Sequence, residues 1–125
     1  MLDLTPIEIL TISFPDSVVL EFQIDIKNCI SLIKTDTSFV SKRNQLFGST
    51  TIKIQNWTNL DITEWDGIKF NPVCYNPNFN LREILDCTFE DNLISIKGFT
   101  IGTDYWTEYT YTSNKYTVSC QQLEE

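Results

Sequence analysis

Alternation of apolar and polar residues with a period of two runs through most of this chain. Val18, Leu20, Phe22 and Ile24 alternate with Val19, Glu21, Gln23 and Asp25. A strand sends successive side chains to opposite faces, so this spacing predicts a half-buried β-strand. Ile30, Ser31, Leu32 and Ile33 follow the turn-prone Lys27-Asn28 and predict its hairpin partner, and residues 51–55 alternate again. Threonine, isoleucine, tyrosine and phenylalanine are abundant, and all of them suit a pleated, half-buried surface.

Turn chemistry predicts how three pairs of strands meet. Asp66-Gly67 suits a two-residue type I′ hairpin, which sets Glu64 opposite Lys69 and Trp65 opposite Ile68. A two-residue turn at Asp91-Asn92 sets Phe89 opposite Ile94, Cys87 opposite Ile96 and Asp86 opposite Lys97. One face of that pair is apolar and the other carries a cross-strand ion pair, which a slip of one residue would scramble. A turn at Asn114-Lys115 pairs Tyr111 with Val118 and Tyr109 with Cys120, with Tyr105 continuing that face. Thr112 with Thr117, Thr110 with Ser119, Glu108 and Trp106 form the opposite, polar face. Trp106 is then a large aromatic on a polar surface between Asp104 and Glu108, or a ring tucked under a loop or sheet edge.

Helix is scarce. Thr5-Pro6-Ile7-Glu8 has the form of a capping box with proline at the first helical position. The β-branched, near-alternating stretch from Ile7 to Ile12 predicts a first strand in competition with it. Residues 35–49 are polar and read as a long connection, and residues 71–80, with Pro72 and Pro77, as an irregular crossover. Neither repeats nor low-complexity tracts interrupt the pattern. The expected fold is all-β, or β-rich α+β: one domain over residues 1–125, an antiparallel sandwich or partly open barrel of about seven to nine strands.

Charge changes the picture of function more than of fold. The formal net charge is −8 on 125 residues with no histidine. Residues 1–58 carry six acids and five bases, whereas residues 59–125 carry eleven acids and four bases. The summed field repels phosphate, so a nucleic-acid partner is not expected. An acidic surface instead suits a basic protein, whose approach it accelerates, or serves plain solubility. No apolar run approaches the roughly 20 residues of a membrane span, and residues 1–6 lack a basic, apolar leader, so a cytoplasmic protein is expected. Cys29, Cys74, Cys87 and Cys120 contain no C-x-x-C spacing and read as buried free thiols. Asn56-Trp57-Thr58 has the form of a glycosylation sequon, taken as chance without a secretion route.

Without histidine, the serine, cysteine and zinc hydrolase constellations lose their usual base or ligand. No glycine-rich phosphate loop is present. Carboxylate chemistry is the remaining catalytic route, with Asp61, Glu64 and Asp66 in one group and Glu83, Asp86, Glu90 and Asp91 in another. In the predicted registers Glu64 and Asp86 face lysines, and Asp66 and Asp91 occupy turns, which are solvated structural positions rather than an acid–base pair. An enzyme is therefore not expected. Residues 61–67 do not make a calcium loop, because Val73 stands where the bidentate glutamate is needed. No cofactor or metal is expected. Three tryptophans, five tyrosines and eight phenylalanines suffice to line a ligand cavity in a barrel, though an ordinary β core uses them equally well.

Phe14-Pro15-Asp16-Ser17-Val18 and the strand that follows it to Asp25, then residues 51–54, residues 93–99, Trp106 and Tyr109, resemble small bacterial β-rich domains that begin with a His-Asp-Ser turn. Several such domains are grouped with the immunity proteins of toxin systems. The resemblance implies a cytosolic neutraliser of a toxin, frequently a basic nuclease. Pro15 stands where the pattern has histidine, so no role of that histidine carries over.

The function expected from all this is a non-catalytic, acidic protein-binding module, of the immunity type by resemblance. Its partner is a basic protein. A small-ligand-binding barrel or a carboxylate hydrolase is the alternative. The candidate partner-binding residues are Asp61, Glu64, Asp66, Glu90, Asp91, Asp104, Trp106 and Glu108, with Trp106 as the anchor and the acids as its rim.

Overall fold

The computed structural model describes residues 1–15, 17–101 and 106–123. Asp16 in the turn at residues 14–18, and Asp104 and Tyr105 before Trp106, lie outside the described residues. In chain order the elements are β1 (Leu2–Asp3), α1 (Pro6–Ile9), β2 (Ile12–Ser13), β3 (Ser17–Asp25), β4 (Ile30–Thr35), β5 (Ser38–Val40), β6 (Gln45–Gln55) and β7 (Asn59–Trp65). There follow β8 (Phe70–Pro72), β9 (Leu81–Glu90), β10 (Leu93–Thr100), β11 (Trp106–Thr112) and β12 (Lys115–Gln122). Single 3₁₀ turns occupy Ser41–Arg43 and Pro77–Phe79. The fold is all-β. Among the described residues eight strands have six residues or more, in line with the sequence pattern, and four shorter ones bring the total to twelve. Two- and three-residue strands are too short to show a period.

All pairings among the described strands are antiparallel, in the order β1-β12-β6-β4-β3-β9-β10-β11-β7-β8, with β5 added beside β6 and β2 beside β5. The terminal strands β1 and β8 do not pair, so the sheet stays open. It folds over at β3, whose first residues, Ser17 and Val18, pair with β9 while Val19 to Asp25 pair with β4. We call the β1-to-β4 half sheet A and the β9-to-β8 half sheet B. Fully buried Ile33, Phe47, Ile52, Ile54 and Val118 from sheet A share one core with Ile84, Ile94, Ile96 and Tyr111 from sheet B. Aromatic rings join the halves: Phe22 meets Tyr109 and Phe89 meets Tyr116, each at 5.1 Å between centroids. Each buried aliphatic side chain contributes roughly 1.5–3 kcal/mol.

The change of partner along β3 alters its faces. Leu20 is an extra residue between the Val19–Thr35 and Glu21–Lys34 pairs. That bulge shifts the parity, so Phe22 is buried but Val18 and Leu20, expected on the same face, are about half exposed. At the N-terminus the capping box prevails over the competing strand. Thr5 Oγ1 accepts from the Glu8 amide at 3.3 Å, Glu8 Oε1 accepts from the Thr5 amide at 2.9 Å, and Arg43 closes on Glu8. Residues 35–49 are not one long connection, because Val40 and Phe47 are fully buried and draw the segment into β5 and β6.

The three turn predictions fare differently. At Asp91-Asn92 the register is as expected: Phe89 with Ile94, Cys87 with Ile96, Asp86 with Lys97. At Asp66-Gly67 the loop is wider than two residues. The Asp66 carboxylate accepts from the amides of Ile68 and Lys69 at 2.8 and 2.9 Å, and Trp65 pairs with Phe70 rather than Ile68. Glu64 therefore faces Asn71 and not Lys69. At Asn114-Lys115 there is no hairpin. β11 lies between β10 and β7 in sheet B, and β12 between β6 and β1 in sheet A. The buried Ser113 makes the corner: its amide donates to Asn92 O at 2.8 Å and its hydroxyl to Gln55 O. Tyr109, Tyr111, Val118 and Cys120 are all buried as the alternation requires, but against different strands.

Candidate functional site

The strongest surface feature is the face of sheet B turned away from the core. β10 and β11 bury every second residue and β7 buries Ile62, leaving Asp61, Thr63 and Trp65 on β7, Trp106, Glu108 and Thr110 on β11, and Ser95, Lys97 and Phe99 on β10 to point outward. The registers align these in rows across the sheet. Thr63, Glu108, Lys97 and Asp86 form one row, and Asp61, Thr110, Ser95 and Thr88 the next. Asn59, Thr112, Leu93 and Glu90 form a third.

Beyond the first row, spread over β8, β7, β11 and β10, lie four aromatic rings in two contacting pairs. Phe70 and Trp65 are 5.0 Å apart between centroids, and Trp106 and Phe99 stack edge-to-face at 5.8 Å. The Arg82 guanidinium sits 5.9 Å from the Phe99 centroid and extends the stripe onto β9. Trp65 and Phe70 are 37% and 43% exposed, too much surface for rings that serve only the core.

Charge borders the stripe. Lys97 Nζ lies 3.8 Å from Glu108 Oε1 and 4.0 Å from Asp86 Oδ2, and Trp106 Nε1 donates to Glu108 Oε1 at 3.3 Å. That last bond fixes the indole beside an acid. The three rows hold four carboxylates, Asp61, Asp86, Glu90 and Glu108, against the single ammonium of Lys97. Exposed pairs of this kind add little stability, so the excess acts chiefly as a field at the surface.

Of the candidate residues, Trp106, Glu108, Asp61 and Glu90 share this face. Asp66 and Asp91 sit in turns at opposite ends of it. Backbone bonds from Lys69 and Ile68, with Asn71 Nδ2 at 2.8 Å, hold the Asp66 carboxyl below its ordinary value, so it is occupied in shaping the loop. Asp104 lies outside the described residues. Glu64 is the exception. It lies on the inner face of β7, cross-strand from the buried Thr107, and lines a cavity instead of rimming the stripe. The two-residue turn expected at Asp66 paired it with Lys69, and the wider loop removes that partner.

Phe99, Trp65 and Phe70 were not among the candidates. Phe99 was legible, since alternation along β10 gives it the parity of Lys97. Trp65 and Phe70 join the stripe only through the adjacency of β7 and β11, which no local signal shows. Among the described residues no group of three His, Cys, Asp or Glu side chains converges to hold a metal ion, and no helix is long and apolar enough to cross a membrane. The four cysteines are free thiols, with Cys87 and Cys120 buried but Cys29 only half-buried and Cys74 exposed. The expectation of four buried thiols holds for two. No protein-family model, curated protein or solved structure matches the chain.

Proposed function

We propose that the outer face of sheet B is a docking surface for a basic protein and that the chain is a non-catalytic binding module. The carrying observation is the two contacting aromatic pairs, Phe70–Trp65 and Trp106–Phe99, on the same face as rows of carboxylates. Partly exposed aromatics bordered by charge are what interface anchors look like: the rings supply affinity once water is excluded, and the acids supply approach rate. The resemblance to immunity-type domains points the same way, to a cytosolic neutraliser whose partner is a basic toxin. Catalysis has less support. Among the described residues, the carboxyls whose ionisation the fold moves, Glu8, Asp25 and Asp66, are moved toward the charged form, the wrong direction for a general acid.

The test first asks whether a basic protein is encoded beside this chain, then mixes that protein in stopped flow with the wild type, with Trp106→Ala, and with Asp61→Lys/Glu90→Lys/Glu108→Lys. Trp106→Ala is expected to raise the dissociation rate at least tenfold, corresponding to about 1.4 kcal/mol. The charge reversals are expected to slow association and flatten its salt dependence. An association rate unchanged across the reversal set refutes the proposal.

A further inference from the structure

A second feature lies on the other side of the same sheet. Residues 73–80 cross from β8 to β9 as a strap, tied down at several points. The Val73 amide donates to Ile62 O at 2.9 Å, Asn80 Nδ2 to Phe22 O at 3.3 Å, and the Ile101 amide to Asn80 O at 2.8 Å. Tyr75 is held within the strap, its hydroxyl 3.4 Å from Asn80 Oδ1. Beneath the strap is a cavity of about 220 Å³. Its lining includes Glu64, Tyr75, Phe79, Thr107 and Tyr109 and, among the described residues, no lysine or arginine.

The chemistry of that lining is specific. Among the described lining residues, Glu64 is the one acid, beside three aromatic side chains, on a chain whose net charge is −8. An anion is repelled there, and a purely apolar ligand leaves the carboxylate desolvated and unpaired. A planar or compact cation satisfies both walls, because its N–H groups pair with the carboxylate while its charge lies against ring faces. Burial raises the Tyr109 phenol pKa, and the neighbouring Tyr75 and Glu64 raise it further, so the phenol stays a neutral wall and adds no second anion to the cavity. Size narrows the choice. Pockets for drug-sized molecules run to roughly 300–1,000 Å³, so this one suits a single headgroup and a short alkyl stem.

We propose that the cavity between β7, β11 and the strap is a binding site for one guanidinium or ammonium group, with Glu64 as its counter-ion and Tyr75, Phe79 and Tyr109 as its walls. The group belongs either to a small free amine or to an arginine or lysine side chain of a partner. This is separate from the outer-face proposal. A chain that captured no basic protein leaves the cation site standing, and a cavity indifferent to cations leaves the outer face standing.

The experiment is an NMR titration of the ¹⁵N- and ¹³C-labelled chain with n-butylguanidinium and with n-butylurea, its neutral isostere. The guanidinium is expected to shift resonances of Glu64, Tyr75, Phe79 and Tyr109 with a millimolar Kd, and the urea to leave them in place. Glu64→Gln, which keeps the side chain's shape, is expected to weaken binding at least tenfold while the rest of the spectrum stays native. Capped arginine, N-acetyl-arginine N-methylamide, separates the sources: tighter binding than n-butylguanidinium assigns the site to a protein side chain, weaker binding to a free amine. Equal binding of the urea, undiminished binding by Glu64→Gln, or no shift at these residues at about 50 mM cation overturns the proposal.

Discussion

Substituting Gly98 by alanine tests the packing that holds sheet B together. Gly98 sits at a bulge where β10 pairs successively with Asp86 and Ile84, leaving Leu85 as the extra residue on β9. A Cβ on Gly98 would lie 2.0 Å from Glu83 O, 3.1 Å from Glu83 C and 3.3 Å from Ile84 Cα. All three atoms are backbone, so no side chain can swing away. Restoring an ordinary contact of about 3.4 Å requires β9 to retreat by more than 1 Å from a strand spacing of about 4.8 Å. Overpacking of this kind costs about 1–3 kcal/mol, and one or two weakened ladder bonds add about 1 kcal/mol each, for an expected loss of about 3 kcal/mol. That is a large share of the 5–15 kcal/mol typical of a domain, and lowers Tm by roughly 10 °C. Two other glycines serve as controls. At Gly48 the close neighbour is Leu123 Cδ2 at 3.2 Å, on a half-exposed side chain free to move, so alanine there costs about 0.5 kcal/mol or less. Gly67 has φ +99° and nothing within 4 Å, so alanine there incurs backbone strain alone, about 1–2 kcal/mol. Urea unfolding followed by tryptophan fluorescence measures all three, with unchanged m-values confirming a common two-state transition. If Gly98→Ala lies within 0.5 kcal/mol of wild type, or costs less than Gly67→Ala, the close approach of β9 and β10 is wrong.

Two further outcomes follow from burial and ionisation. Cys74 is exposed and Cys87 and Cys120 are buried, with burial raising both buried thiol pKa values. An aromatic disulfide reagent at pH 8 should therefore modify Cys74 first and the half-buried Cys29 more slowly, leaving Cys87 and Cys120 untouched until urea is added; early reaction of either would contradict the core. The Glu8 pKa is lowered by its backbone bond from Thr5 and then by Arg43. A lowered carboxyl stabilises the fold fully above its unfolded value, near pH 4.3, and loses that contribution as pH falls through the folded value. The stability gap between wild type and Glu8→Gln should accordingly be constant from pH 6 to 7 and shrink as pH falls below about 4; a gap that grows on acidification would reverse the sign.

Legibility in the sequence followed the range of the determining interaction. The hairpin at Asp91-Asn92 was readable because its turn, its apolar pairs and its Asp86–Lys97 pair agree within a dozen residues. Thr5 and Glu8 were readable as a capping box for the same reason. The loop at Asp66 failed at short range because the carboxylate can itself bind two amides, and a wider Asx-type loop then competes with the two-residue turn. Trp106 could be singled out as an aromatic on a polar face, but not its neighbours in the stripe, since Trp65 and Phe70 reach it across strand pairs remote in sequence.

Taken alone, the amino-acid order determined the all-β class, the inward and outward parity of most long strands, one hairpin register and the acidic bias of the second half. Each depends on a residue's own chemistry or on neighbours a few positions away. Only the tertiary structure decided that β11 and β12 part company at Ser113, because either pairing buries Tyr109, Tyr111, Val118 and Cys120 equally well. The choice rests on covering both halves of a folded sheet at once. That same choice set β11 beside β7 and so brought the Trp65–Phe70 and Trp106–Phe99 pairs onto one face of sheet B.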